Sequence, residues 1–308
     1  MNTLIFTIYT GTQISAIHPP TCLVIDTIAA LIKSWEITFA CHQAFPGAIG
    51  CHDIDTRLCS ICRAEYIITA HQPNLLLFHL LTTDSMQHQY GARTLAQQTA
   101  LALADARVGR LVDACRRAGI LETTTFVIVS DHGFRTYTHK IRANVVLRAH
   151  GLGDAAWAIA EGGTANVYLT GQAGRTATIE AIATAFRGVE GVADVLTPVD
   201  YPRYGLPSPA AMPRMSEVVV AAREGYAFDA GVAGPAVETL PQGVNLGAHG
   251  YLNTDPDLRA IFVASGAGVR GGTTLGVISN LDVAPTIAAW LGLRMEHIEG
   301  RALSAIVE

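Results

Sequence analysis

The sequence predicts an α/β fold: a mostly parallel sheet flanked by helices, with a small inserted α+β subdomain. Three observations predict it. Two short continuous apolar runs, Leu75 to Leu81 and Phe126 to Ser130, have the unbroken pattern of strands buried on both faces. A long helix-period segment, Thr94 to Gly119, lies between them. Strand, helix, strand at this spacing makes a βαβ unit, with parallel strands and a right-handed crossover. Finally, residues 139 to about 245 hold several short strand candidates and one helix, the mixture expected of a separate α+β unit.

Composition narrows the classes. The chain has 308 residues, half of them hydrophobic and 15% charged, enough apolar content for one large domain or two and too much for disorder. The net charge is −5 and no basic block occurs, so no nucleic-acid surface is evident. No apolar run reaches the ~18 residues of a membrane span. The nearest, Cys22 to Ile32, is broken by Asp26. No Lys or Arg precedes Lys33, so the charged start of a secretory signal is missing and the chain as written reads as cytoplasmic. Localisation is otherwise open, and so is the oligomeric state. Of six cysteines, five lie in the first 62 residues. Cys59-Ser-Ile-Cys62 has the spacing of a zinc or redox pair, but no second pair accompanies it, which favours incidental thiols.

Residues 1–55 are poorly readable and stand apart from a domain over 56–308, into which 139–245 is inserted. Short apolar runs at Leu4 to Tyr9 and Cys22 to Ile28 are broken by His-Pro-Pro and threonines. From Arg57 to Ala70 the period is helical, with Leu58, Ile61, Cys62 and Tyr66 on one face. The strand at 75–81 then delivers Asp84 and His88, four residues apart and able to share one side of a helical turn or compact loop. In the 94–119 helix, Leu95, Ala102, Leu103, Ala106, Val108, Leu111, Val112 and Cys115 form the apolar stripe, and Gly119 ends it. The 126–130 strand runs into Asp131-His132-Gly133, where the glycine lets the backbone turn.

Within the insertion, strands are expected at Thr164 to Leu169, Val192 to Leu196 and Glu217 to Ala222, with a helix from Thr176 to Arg187. Four prolines between 202 and 213 mark an extended connector. Gly247-Ala248-His249-Gly250-Tyr251 follows, then a core strand at Arg259 to Ser265. A last helix is expected to open with Asp282 as its cap and to run to Leu291, with Gly292 as its stop.

Three polar clusters thus follow strand-like or glycine-rich segments, and in an open α/β sheet ligands gather beyond the carboxyl ends of strands. They contain Asp84, His88, Asp131, His132 and His249. Mixed His and Asp ligation suits zinc, and also manganese or iron. Five ligands exceed the protein share of most single catalytic sites and suggest two metals about 3.5–4 Å apart, as in phosphoryl transfer. His71, His79, His139, His150 and His297 lack such a context and are read as packing residues. Tyr201, Tyr204 and Tyr226 are weighed as cleft residues, and Asn144 and Asn166 as substrate contacts, against ordinary packing.

The order Asp84-x-x-x-His88, Asp131-His132-Gly133, His249-Gly250 and Asp282-Val-Ala-Pro-Thr286 resembles the alkaline phosphatase superfamily, within it the type I phosphodiesterase/nucleotide pyrophosphatase group. The resemblance runs from about residue 57 to the C-terminus. It implies an alkaline-phosphatase-like fold and two divalent ions, zinc first and manganese as the alternative. Asp84, His88 and His249 would hold one ion; Asp131 and His132 would hold the other. The substrate would be a small phosphate ester or a nucleotide. The family also uses an N-terminal Asp and a Thr or Ser nucleophile. Residues 1–56 contain no match to the nucleophile motif, and Asp26 is the nearest counterpart of the Asp. The catalytic nucleophile is therefore unassigned. The alternative is a non-catalytic homologue acting as a metal-binding or interaction domain. Sulfatases and phosphoglycerate mutases share the metal core, but the motifs of neither class are found here.

Overall fold

The computed structural model describes residues 3–9, 37–40, 59–171 and 174–308, the first two stretches and 59–60 by backbone alone. In chain order the elements begin with β1 (Thr3–Tyr9), β2 (Ile37–Ala40), α1 (Cys59–His71), β3 (Leu75–His79), α2 (Thr82–Tyr90), α3 (Leu95–Arg117) and β4 (Thr124–Ser130). They continue with β5 (Arg135–Ile141), α4 (Ala143–Ala149), β6 (Ala156–Ala160), β7 (Thr164–Leu169), α5 (Arg175–Phe186), β8 (Val192–Leu196) and β9 (Val218–Ala222). The last are β10 (Gly225–Phe228), β11 (Val237–Thr239), β12 (Leu246–Ala248), β13 (Phe262–Gly266) and α6 (Val283–Trp290).

The main sheet has the order β13-β4-β1-β3-β2. β1, β2, β3 and β4 run parallel, and β13 lies antiparallel against β4. The two strands of the expected βαβ unit are parallel as predicted, but they are not neighbours. β1 lies between them, pairing Ile5 with both Leu76 and Phe126. Nothing local to residues 3–9 announces a central strand, because its partners arrive far later in the chain. The run containing Asp26 lies outside the described residues, as do Cys22, Cys41 and Cys51.

One face of the sheet carries α1 and α3. Ile61, Ala64 and Ile68 of α1 and Ala104, Leu111, Ala114 and Cys115 of α3 pack over Leu76, Phe78 and Leu80. This bears out part of each predicted stripe, Ile61 and Cys62 of α1 and Val108, Leu111, Val112 and Cys115 of α3, and corrects the rest. Tyr66 is 60% exposed and Leu95 79% exposed, and Ala102, Leu103 and Ala106 also face outward. The buried side of α3 adds Ala100, Ala104 and Ala114 to the predicted Leu111 and Cys115, and small side chains there let the backbones approach closely. The Thr94 hydroxyl caps α3 by accepting from the Gln97 N–H at 3.3 Å. Gly119 follows the helix at φ +71°, as its stop role requires.

The opposite face receives α6, whose Ala284 and Ile287 meet Leu75, Val127 and Val129. Asp282 does not cap α6. Its side chain instead accepts from the Arg301 N–H at 3.0 Å, and Ser279 caps a 3-10 turn, Asn280–Asp282, that leads into the helix. β13 is an edge strand with Val263 exposed, in place of the core strand expected there.

A second sheet, β6-β7-β9-β8, is antiparallel throughout. The strands at 164–169 and 192–196 stand where the sequence places them, and α5 is shifted by one residue. β6 and α4 were not anticipated. Asn144 joins them: its amide donates to the Ala158 carbonyl and accepts from the Ala158 N–H, at 2.8 and 2.9 Å. It is therefore a packing residue. Tyr201 and Tyr204 are likewise buried against Met215 and Val219. A third small sheet is centred on β5, which pairs with β10 in parallel and with β11 and β12 in antiparallel.

Candidate metal centre

α2 begins three residues after β3 ends, so Asp84 falls in its first turn and is almost fully buried. His88, one turn later, brings Nε2 to 3.5 Å from Asp84 Oδ1. His88 Nδ1 lies 3.0 Å from the Gly247 carbonyl oxygen. A carbonyl only accepts, so Nδ1 carries the proton and the Nε2 lone pair is left facing Asp84. At the end of β4 the same device recurs. His132 Nδ1 lies 3.0 Å from the Gly133 carbonyl oxygen, and Nε2 sits 3.4 Å from Asp131 Oδ1.

His249 follows β12. Its ring stacks on that of His132 at 3.9 Å between centroids and 20° between planes, and lies 5.0 Å from the ring of His88. One ligand atom each from Asp84, His88 and His249 lies within 4.8 Å of the others. All five sequence-predicted residues therefore meet in one place, Asp131 and His132 reaching it through the His132–His249 stack.

Electrostatics distinguish the two carboxylates. Burial pushes the Asp131 carboxyl up to about 7; backbone N–H groups of Asp131 and His132 pull it down, and the charge of Asp84 pushes it further up. Burial also raises Asp84, with His88 opposing. Oδ1 of Asp84 and Oδ1 of Asp131 are buried and accept no hydrogen bond. Two buried carboxylate oxygens without donors are costly. A bound divalent cation would remove that cost, and two carboxylates with three imidazoles are a donor set that zinc or manganese accepts. The residues fit the ions that the sequence implies.

Close backbone approaches hold the cluster. A Cβ on Gly133 would lie 2.0 Å from the Asp257 carbonyl oxygen, and the Gly133 N–H donates to the Leu258 carbonyl at 2.9 Å. Gly133 thus serves a close crossing, and its φ is not in the left-handed region. A Cβ on Gly247 would meet the Gln87 carbonyl oxygen at 2.2 Å. The β6–β7 turn supports His249: the Gly163 N–H donates to its carbonyl at 2.8 Å.

Phe134 is the site residue that sequence reasoning missed. It is buried with its ring against all three histidines. Its only signal was its place directly after Asp131-His132-Gly133. Cys62 takes no part: its sulfur lies 3.5 Å from Arg110 Nη2, and the side chain of Cys59 is outside the described residues.

The fold defines the class of protein, an alkaline-phosphatase-like α/β protein. It is similar to human ectonucleotide pyrophosphatase/phosphodiesterase 5, with a TM-score of 0.68 and 18% identity over 89% of this chain and 71% of the other. A murine ectonucleotide pyrophosphatase/phosphodiesterase 5, inactive through a threonine-to-alanine change and in complex with AMP, aligns with a TM-score of 0.65, 18% identity, 88% of this chain and 70% of the other. A model of the type I phosphodiesterase/nucleotide pyrophosphatase family matches residues 26–252, and the chain belongs to that family. Ectonucleotide pyrophosphatase/phosphodiesterase family member 7 of Rattus norvegicus is 22% identical over 240 residues, 75% of this chain and 50% of the relative. The Mus musculus counterpart is 22% identical over 235 residues, 74% of this chain and 49% of the relative. The chain thus spans about half the length of these curated relatives. Among the described residues no helix is long and apolar enough to cross a membrane.

Proposed function

We propose that this chain is a metal-dependent hydrolase of phosphoric ester or pyrophosphate bonds, acting on a small phosphate ester or a nucleotide. Asp84, His88 and His249 hold one divalent ion in this reading, and Asp131 and His132 hold the second, zinc first and manganese as the alternative. The observation that carries it is the convergence of these five side chains around two buried carboxylate oxygens that receive no hydrogen bond. Membership of the family supports the reaction class, and the AMP complex of the murine relative supports a nucleotide.

When bound, such a pair of ions lowers the pKa of the attacking group and stabilises the leaving oxygen. The chain's own residues do the rest. The Gly247 and Gly133 carbonyls hold the His88 and His132 tautomers, and burial keeps water from the inner oxygens of Asp84 and Asp131. The nucleophile is not assigned to a described residue. We also take residues 139–245 as an insertion that shapes the substrate cleft of the domain, whose main sheet includes β1 and β2 and so does not begin at residue 56.

One observation favours a second reading, a metal-binding homologue without turnover. Asp131 and His132 supply two ligands, one fewer than catalytic zinc sites usually draw from the protein. The test is hydrolysis of a chromogenic phosphodiester by the zinc-loaded chain, with metal content measured beside an Asp131→Ala control. Turnover lost in the control, with about two metals per chain, is the expected result. No turnover with at most one metal establishes the second reading and removes the first.

A further inference from the structure

We propose that Phe134 is a positioning residue whose ring sets the orientation of the three histidines of the metal centre. The inference rests on the metal-binding reading above. Phe134 stands just past the end of β4, and its ring centroid lies 4.9 Å from that of His88, 5.3 Å from His132 and 5.4 Å from His249. The corresponding angles between planes are 81°, 62° and 82°. The three histidines come from a helix, the turn after β4 and the turn after β12, and Phe134 is common to all of them.

The torsion that turns an imidazole about its Cβ–Cγ bond is soft and roughly two-fold. A hydrogen bond from Nδ1 to a backbone carbonyl holds one edge of the His88 and His132 rings. An edge-to-face aromatic contact adds a second restraint, on the plane of the ring. Phe134 gives each histidine such a contact while offering no polar atom, so it does not compete for any Nε2. It is itself held firmly. It is buried, and the missing Cβ of Gly247, which would lie 3.2 Å from the Phe134 ring, lets that ring seat on bare backbone of β12. Loss of a hydrogen-bonding group that orients a metal ligand from behind typically costs roughly 10- to 100-fold in metal affinity, and the loss of a ring contact shared by three ligands is taken to be of that order.

The test uses the full chain stripped of metal. Zinc affinity is measured by calorimetry, and the visible absorption of the cobalt-loaded chain reports ligand geometry. Phe134→Leu and Phe134→Met remove the ring; Phe134→Tyr keeps it. The expected result is a loss of affinity of roughly 10- to 100-fold with altered cobalt bands in whichever ring-free variant folds, the tyrosine variant staying close to wild type. A folded ring-free variant with wild-type affinity and unchanged bands overturns the inference, as does a tyrosine variant as weak as the leucine one. Unfolding of both ring-free variants also overturns it, in favour of a core-packing role. Wild-type chain that takes up no zinc overturns the metal-binding reading and this inference with it, whereas wild-type uptake with an unaffected Phe134→Leu overturns this inference alone.

Discussion

Asp131 shows how a residue can be legible in sequence while its behaviour is not. Its place after an apolar strand marked it as a ligand candidate, but only burial and the neighbouring Asp84 raise its carboxyl to about 7. In the metal-free chain the folded state therefore keeps a proton that the unfolded state releases above its ordinary value of 3.8. The stabilising effect of that proton is full below about pH 4 and is lost as pH rises through 7. Melting in the presence of a chelator should show Asp131→Asn more stable than wild type at pH 8, by on the order of 4 kcal/mol, and the two converging near pH 4. Zinc affinity of the wild type should rise across the same window, since the ligand must be ionised. Gly133 was also legible, but for a different reason from the true one. Its Cα hydrogen faces a carbonyl of the 255–258 turn, so Gly133→Ala forces backbone apart and should cost roughly 2–4 kcal/mol in urea unfolding. Phe134 was not legible because a lone aromatic after a turn has no pattern that distinguishes ring support from ordinary packing.

At the scale of elements, periodicity placed α1, β3, α3, β4 and α5 to within a few residues, but for two of them the predicted face is only partly the buried one. In α3 the sequence offers apolar side chains on more than one side, and contact with α1 and the sheet selects the alanine side. Leu111→Ala, in that contact, should cost about 2–5 kcal/mol, whereas Leu103→Ala, on the outer face, should change stability by about 0.5 kcal/mol or less. Parallel urea titrations separate the two. Thr94→Ala removes the hydroxyl that caps α3 and should cost about 1 kcal/mol in the same assay. The last helix makes a similar point. Asp282 has the chemistry of a cap, but the Arg301 N–H takes its carboxylate, a partner that no reading of residues 279–292 could supply.

For the whole molecule, metal and fold should be linked. If the ions bind the folded chain alone, zinc at 100 times its dissociation constant should raise unfolding stability by about 2.7 kcal/mol, and a chelator should reverse the gain. Asp84→Ala and Asp131→Ala should each remove part of that gain, which thermal melts with and without zinc would measure. The sequence by itself determined the α/β class, the parallel direction of the strands at 75–79 and 124–130, and the five candidate ligands. Those features rest on short-range signals: apolar runs, helical period, and polar residues at strand ends. Only the tertiary structure decided that β1 is the central strand, which faces of α1 and α3 are buried, which tautomers His88 and His132 hold, and that Phe134 touches all three histidines. Each of these depends on partners distant in the chain, and local propensity carries no information about a neighbour that folding alone brings into contact.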